Sequence, residues 1–558
     1  MLLAGQSSRA DEDLVAVARE AVAAAESLLA AGLANVRPRV AEDGRPSAHL
    51  IDREQRAAHG LAWLATYVEA MRQATAYAAG LSSEARLGEV ERLTIRIGLG
   101  ECLAQIIGGI PMSPGEIFRL SDLGLNDEVA RARLTSAAVA LIASGNTADN
   151  RRRLVELLCA RPNAEIGTTD PDETLVAMRA EMRKFADNRI VPHAQQWHRD
   201  NAYIPLDVIA EMAQLGVFGL TVPAEYGGLG LGKQAMCVVS EELSRGYLGV
   251  GSLGTRAEIA AELVLANGTD AQKRRWLPPI AAGEIIPTAV FTEPGAGSDM
   301  AGVRTRAIRE GDRYRIFGNK TWITHAARAD LMTLLVRTDP ASRGHRGLSM
   351  LLAQKPRGTD AQPFPVPGLS GSEIEVIGYR GMKEFELAFD GFEVPAANLL
   401  GGVEGDGFRQ LMQTFEAARI QTAARAIGVA HAAFEQALSY AQLRRQFGKP
   451  IVEFPRVADK IAMMAAEILL ARRLTYHAAR VKDSGRRSDL EAGMAKLYAA
   501  RAAWSAADNA VQIHGGNGFA LEFAASRILC DARILSIFEG AAEIQAQIIA
   551  RRLLDGSN

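Results

Sequence analysis

A mainly α-helical protein with one small β domain is the fold class this chain predicts, on three observations. From Asp11 to about Leu158 apolar residues recur every three or four positions in an Ala- and Leu-rich background, as in Leu14, Val17, Ala18, Ala21 and Val22. Between about 286 and 400 the texture changes to short apolar or alternating runs bounded by Gly, Asp and Pro, such as Tyr314-Arg315-Ile316-Phe317 and Leu331-Met332-Thr333-Leu334-Leu335-Val336. After Gly407 long helical patterns resume and continue to the end.

Within the first segment, strand signals are nearly absent, and helices are expected at roughly 52–79 and 84–107, each ending at a glycine. Gly108-Gly109-Ile110-Pro111 marks a turn, and a further helix begins near Asp127. Arg161-Pro162-Asn163 and Gly167-Thr168-Thr169-Asp170-Pro171 break the pattern, and Asp172 or Thr174 is placed to cap the next helix. Helices then run from about 171 to 285, interrupted where Pro223 and the glycines Gly227, Gly228 and Gly230 exclude helix. The expected organisation is a helical extension over 1–165, an α domain over 171–285, a β domain over 286–400 and a helical domain over 401–558. The C-terminal helices should bend at Gly515-Gly516.

At 558 residues the chain exceeds what one hydrophobic core organises. Its formal charge of −2 gives no global attraction to nucleic acid or an acidic membrane face, so any anionic ligand must be held by local cations. Cys102, Cys159, Cys237 and Cys530 lie far apart, with no C-x-x-C pair and no clustered histidines, which predicts reduced, mostly buried thiols and no metal site. Met1-Leu2-Leu3-Ala4-Gly5-Gln6 is too short for a signal sequence, and no apolar run reaches the length of a membrane span, so a soluble, cytoplasmic protein is expected.

Four segments carry chemistry. They are Phe291-Thr292-Glu293-Pro294-Gly295-Ala296-Gly297-Ser298-Asp299, Lys320-Thr321-Trp322-Ile323-Thr324, Arg444-Arg445-Gln446-Phe447-Gly448-Lys449, and Gln512-Ile513-His514-Gly515-Gly516-Asn517-Gly518-Phe519 followed by Ile537-Phe538-Glu539-Gly540. In this order and spacing, and in the helical, β, helical order of the last 390 or so residues, they resemble the acyl-CoA dehydrogenases. The resemblance implies that family's architecture, an FAD cofactor, an acyl-CoA thioester substrate, a homo-oligomer and an electron-transferring flavoprotein as electron acceptor.

The resemblance makes Glu539 the base that removes the α-proton while the β-hydrogen leaves as hydride. A thioester α-proton is weakly acidic, so a carboxylate suits the task only where its basicity is raised and enolate-like charge is stabilised. Taken alone, an acid here would read as a helix-start residue. Some relatives carry the base just before the arginine that matches Arg419, but that position here is Ala418. Glu416 and Arg419 match the part of that helix that approaches substrate, with an i,i+3 pair as the ordinary reading.

By the same resemblance Phe291, Thr292, Trp322, Ile323 and Thr324 line the flavin, and Ser298 meets the flavin or the pantetheine arm. Arg444, Gln446 and Phe447 reach the cofactor's pyrophosphate across a subunit boundary, with Gln512, Gly515 and Gly516 on the adenosine side. An arginine fork suits phosphate, and glycine turns let backbone approach a ligand. The chain departs from the family's usual pattern at Phe538, Ala541, Cys530 and His325, of which His325 reads equally as a substrate contact or a surface substitution.

Arg256, in Gly254-Thr255-Arg256-Ala257-Glu258, matches the floor of the acyl pocket. A substrate carboxylate buried near anionic Glu539 needs a cationic, hydrogen-bonding partner. Arg256 is the candidate, with a salt bridge to Glu258 as its ordinary reading. Over its whole length, extension included, the chain resembles the branch of the family that oxidises (2S)-methylsuccinyl-CoA to mesaconyl-CoA in the ethylmalonyl-CoA route. That implies a short, α-branched, dicarboxylic acyl-CoA substrate. The extension is expected to cover a surface used elsewhere in the family for tetramers, which favours a homodimer with a tetramer as the alternative. An isobutyryl-type dehydrogenase, an acyl-CoA oxidase and a flavin-bearing DNA-associated protein remain as other readings. The last lacks a basic footprint.

Overall fold

A computed structural model describes residues 2–161, 165–168, 172–342 and 344–556. The chain forms two compact units, one of residues 1–171 with 422–558 and the other of 172–421. Parts of the expected break, including Pro162, Asn163, Thr169, Asp170 and Pro171, lie outside the described residues.

In the first unit the extension supplies the helices Leu2–Val36, Gln55–Ser83, Glu89–Gly108, Ser136–Ser144 and Ala148–Cys159, with shorter ones at Ala48–Arg53 and Asp127–Arg131. The C-terminal part supplies Pro455–Asp483, Asp489–His514, Ala524–Ile534 and Ala542–Asp555, together with the second half of the long helix Gly407–Leu443. The two parts share one core. Gln55–Ser83 packs on Pro455–Asp483 and on Ala542–Asp555, and Glu89–Gly108 packs on Pro455–Asp483. Arg151 Nε donates to Asp459 at 2.6 Å, and Arg37 Nε to the Leu554 carbonyl at 3.2 Å.

Arg501 is a heavily engaged cation of that seam. It donates to Tyr67 Oη at 2.6 Å and to the Pro111 carbonyl at 3.1 Å. Its guanidinium lies 4.9 Å from the ring centres of Trp63 and Tyr498 and 5.1 Å from that of Tyr67. A half-buried guanidinium loses part of its hydration, and these acceptors and π faces replace it.

Two expectations for the extension are corrected. The helix expected to stop at Gly80 runs on to Ser83, and the next starts at Glu89 rather than near 84. A glycine inside a helix weakens but does not end it. The stop comes where Ala85 takes a φ of +54°. The extension also contains two small hairpins, Ala41–Glu42 with Arg45–Pro46 and Ile110–Ser113 with Glu116–Phe118. Their strands are too short to show alternation in sequence.

The second unit opens with Glu173–Phe185, whose N-terminus is capped by Asp172, its carboxylate accepting from Thr174 N at 2.9 Å. A π-helical turn, Ala186–Ile190, links it to Val191–Arg199, and the helices Leu206–Gln214, Lys233–Gly246, Leu248–Asn267 and Asp270–Ala281 follow. Between Gln214 and Lys233 only isolated turns such as Ala224–Tyr226 form. Arg179 bonds both Glu241 and Glu242 at 2.9 Å in the interior of this layer.

Seven strands then make one sheet. Its spatial order is Leu369–Ile374, Glu384–Pro395, Arg313–Thr324, Arg306–Glu310, then Leu331–Arg337, which also pairs with Pro287–Val290 in parallel and with Leu348–Gln354 antiparallel. Ile316, Ile323, Leu334, Val336, Leu351, Phe385 and Leu387 fill its core. The ladder between Glu384–Pro395 and Arg313–Thr324 is bulged between Phe385 and Leu387. The extra residue lies on Arg313–Thr324, where Thr321 and Trp322 together face Glu386, and Glu384 pairs with Thr324 beyond it. Of the four thiols, Cys102 and Cys237 are buried, whereas Cys159 and Cys530 are only half-buried. Among the described residues no helix is long and apolar enough to cross a membrane.

Candidate active site

The residues singled out from sequence fall into the two units. In the first, the chain leaves the helix Ala524–Ile534 through a tight turn in which Ile537 N and Phe538 N both donate to the Ile534 carbonyl, at 2.8 and 3.0 Å. Glu539 then adopts a φ of +53° and Gly540 one of +93° before the helix Ala542–Asp555 begins. Glu539 is therefore not a residue of the helix's first turn. Left-handed backbone at a non-glycine residue costs on the order of 1–3 kcal/mol and persists only where its surroundings impose it.

Those surroundings are visible. Lys496 Nζ donates to the Gly540 carbonyl at 2.6 Å, and Gln545 Nε2 donates to the same oxygen at 3.2 Å. Arg425 Nη2 donates to Glu539 Oε2 at 2.8 Å, and the Thr422 hydroxyl donates to that oxygen as well. Arg425 is fully buried, and its guanidinium lies 4.9 Å from the Phe538 ring centre. These two bonds fix the carboxylate in place, and neither supplies the raised basicity expected of the base from the sequence.

Also in this unit, Arg445–Gln446 and Lys449–Pro450 form a hairpin closed by Phe447 and Gly448, at φ +50° and +81°. This turn leaves Arg444 and Gln446 exposed and Phe447 91% exposed. Gln512 is exposed too, and Gly515 and Gly516 have open space where a Cβ would stand. Their loop is fixed by Asn517 Nδ2 donating to Tyr440 Oη at 3.0 Å and by His514 stacking on Tyr440 at 4.1 Å.

In the second unit, Thr292 to Ser298 form a tight turn in which Glu293 and Ala296 exchange backbone hydrogen bonds of 3.0 and 3.1 Å. Glu293 anchors it by accepting from Arg304 N and Thr305 N, both at 2.8 Å, and from Lys320 Nζ at 3.0 Å. Burial alone would raise its carboxyl, but Lys320 and the two backbone donors outweigh that and hold it below its ordinary value. Thr292 is half-buried, Ser298 exposed, and no atom of the described residues lies within 4 Å of a Cβ built on Gly295. Phe291 and Ile323 are buried, Ile323 in the sheet core, which leaves its backbone as the part open to a ligand.

Trp322 has a φ of +59° and is 56% exposed. Thr324 is buried and its hydroxyl donates to Glu384 Oε2 at 3.1 Å. Arg256 Nη2 donates to Tyr379 Oη at 3.1 Å, while Glu258, its expected partner, is engaged by Lys233 and by Thr221. Glu416 is half-buried, and Arg419 lies over the Phe415 ring at 5.9 Å. Burial, with Arg328 adding to it, pushes the His325 imidazole down to about 3, so it is a neutral interior ring and not a surface substitution.

These features fit FAD. An open indole and two hydroxyls beside a turn without side-chain bulk suit a flat polar ring system. Exposed Arg444 and the open Gly515-Gly516 edge suit a diphosphate and its nucleoside.

Arg425, Thr422, Lys496, Tyr379 and Glu384 were not anticipated from sequence. A signal did exist for Arg425, a lone cation in the otherwise small and apolar run Ala423-Ala424-Arg425-Ala426-Ile427.

Comparison with known proteins agrees with this geometry. The chain matches the acyl-CoA dehydrogenase N-terminal domain over residues 172–284, the middle domain over 288–392 and the C-terminal domain over 405–554. It is 60% identical over 546 residues to (2S)-methylsuccinyl-CoA dehydrogenase of Cereibacter sphaeroides, covering 97% of this chain and 98% of that protein. Among solved structures it is similar to butyryl-CoA dehydrogenase from Megasphaera elsdenii, with a TM-score of 0.65 and 31% identity over 69% of this chain and 99% of that one. It is likewise similar to a glutaryl-CoA dehydrogenase from Mycobacterium smegmatis in complex with FADH2, with a TM-score of 0.62 and 28% identity over 68% and 95%. With all three domains matched in order, this chain belongs to the acyl-CoA dehydrogenase family.

Proposed function

We propose that this chain dehydrogenates (2S)-methylsuccinyl-CoA to mesaconyl-CoA. The observation that carries the reading is 60% identity across 97% of the chain, a span that includes the extension. FAD is the cofactor, and when bound it supplies the acceptor for the hydride that leaves Cβ. The remaining work belongs to side chains of this protein.

Glu539 takes the α-proton. Its backbone is fixed by Lys496 and Gln545 through Gly540, and its carboxylate is positioned by Arg425 and Thr422. Arg256 receives the distal carboxylate, steered by Tyr379. Glu416, Arg419 and Ser298 complete the acyl and pantetheine contacts. Phe291, Thr292, Ser298, Trp322, Ile323 and Thr324 form one cofactor surface, and Arg444, Gln446, Phe447, Gln512, Gly515 and Gly516 form another.

The second surface belongs to a partner subunit of a homodimer, a reading supported by the exposure of Phe447 and of Phe519, 91% and 88%. An electron-transferring flavoprotein in the cytoplasm reoxidises the cofactor. The segments 1–165, 171–285, 286–400 and 401–558 serve as extension, α domain, β domain and C-terminal helical domain.

The test is anaerobic mixing of FAD-loaded protein with methylsuccinyl-CoA, isobutyryl-CoA and butyryl-CoA in turn. Fast loss of oxidised flavin absorbance with methylsuccinyl-CoA alone is the expected result. Preferential bleaching by isobutyryl-CoA would replace the substrate and release Arg256 from its role.

A further inference from the structure

Glu384 is a buried carboxyl that the chemistry above does not use. It closes the ladder opposite Thr324, accepts that residue's hydroxyl at 3.1 Å through Oε2, and among the described residues its Oε1 finds no donor. Around it the backbone is held in the left-handed region at four non-glycine residues, Trp322, His325, Tyr379 and Lys383, with φ between +58° and +64°. His325 N donates to the Lys383 carbonyl at 2.9 Å and locks two of them together. Strain gathered at one place marks a functional constraint more often than a structural one.

The charged and titratable groups about Glu384 come from several elements. Arg256, on the helix Leu248–Asn267, lies within electrostatic reach and is bonded to Tyr379. His325, beside Thr324, is neutral by burial. Lys383, the preceding residue, pairs with Glu373 at 2.7 Å. Arg256 is thus the cation whose field Glu384 feels. A second carboxylate brought to that guanidinium in a dry site would repel Glu384 if both stayed ionised.

We propose that Glu384 is a positioning residue for substrate selection: it balances the Arg256 charge in the free enzyme and takes up a proton from solvent when Arg256 receives the distal carboxylate of a dicarboxylic acyl-CoA. This rests on the reading of Arg256 given above. Burial, opposed by the Thr324 hydroxyl and by Arg256, already pushes the Glu384 carboxyl up to about 7 in the free protein. Repulsion by a second carboxylate in the same dry site raises it further, beyond the mildly alkaline pH of the test, and a proton is taken up. An acyl-CoA without a distal charge triggers no such uptake.

The test uses oxidised, FAD-loaded enzyme and mesaconyl-CoA, which binds as product without turnover, with methacrylyl-CoA as a partner lacking the carboxylate. Binding is followed by the flavin spectrum and proton uptake by a pH indicator at pH 8. Wild type is expected to take up close to one proton per site with mesaconyl-CoA and none with methacrylyl-CoA. Its Kd for mesaconyl-CoA should weaken by up to about tenfold per pH unit above 7. Glu384→Gln should bind with no uptake and a flat pH profile, and Glu384→Asp should restore uptake. Binding of mesaconyl-CoA without uptake in wild type, or equal uptake in Glu384→Gln, overturns the proposal and leaves the proposed reaction standing. No spectral sign of mesaconyl-CoA binding at all overturns both.

Discussion

The left-handed φ of Glu539 means that its side-chain direction is imposed by neighbours and not by helix propensity. Gly540 is the weak point of that arrangement, because a Cβ there would stand 2.1 Å from Gln545 Nε2 at a φ of +93°. Gly540→Ala should lower kcat sharply and stability by about 1–3 kcal/mol, read by flavin reduction and by denaturant unfolding. Arg256→Ala should weaken transition-state binding of methylsuccinyl-CoA by about 2–5 kcal/mol and barely alter isobutyryl-CoA, a difference read from kcat/KM for each. Glu384 gives a pH signature of its own. Its folded carboxyl is raised to about 7, so the stability it contributes is fully present below its unfolded value and is lost as pH rises through about 7. The Tm of wild type relative to Glu384→Gln should therefore fall between pH 5 and 8 and level off above.

At the scale of elements, periodicity made the long helices legible. Gln55–Ser83 and Glu89–Gly108 lie within a few residues of their expected spans, and long helices resume after Gly407 as expected. The two hairpins of the extension were not legible, since strands of two to four residues leave no alternation to read. Glu384 was hidden for a different reason. Glu384 and Glu386 share a face of their strand and both read as solvated, but tertiary packing buries Glu384 and leaves Glu386 exposed. The partners of Glu539 lie 114 and 117 residues away on another helix, and no local pattern reports such a pairing. Helix packing in the extension can be tested at Gly100, where a Cβ would approach the Leu141 carbonyl to 2.9 Å and Gly145 Cα to 3.1 Å. Gly100→Ala should force Glu89–Gly108 and Ser136–Ser144 apart at a cost of about 1–3 kcal/mol in denaturant unfolding.

For the whole molecule, the extension is built into the same core as the C-terminal helices instead of hanging from them as a separate module. Arg501→Leu removes a half-buried cation from two acceptors and three rings, and should cost about 1–3 kcal/mol while leaving the chemistry of Glu539 in place. A chain beginning at Asp172 would expose the apolar face of Pro455–Asp483 and should aggregate in light scattering, where the full chain gives one discrete species. The central claim is that the carboxylate fixed by Arg425 performs the proton abstraction. Rapid anaerobic mixing of Glu539→Gln and wild type with (2S)-methylsuccinyl-CoA, protonated or deuterated at Cα, tests it most directly. The expected outcome is FAD loading and mesaconyl-CoA binding like wild type in the variant, with flavin bleaching slowed by about 10²- to 10⁴-fold, and an isotope effect on bleaching in wild type. Bleaching by Glu539→Gln within a few-fold of wild type would contradict it and send the search for the base elsewhere in the chain.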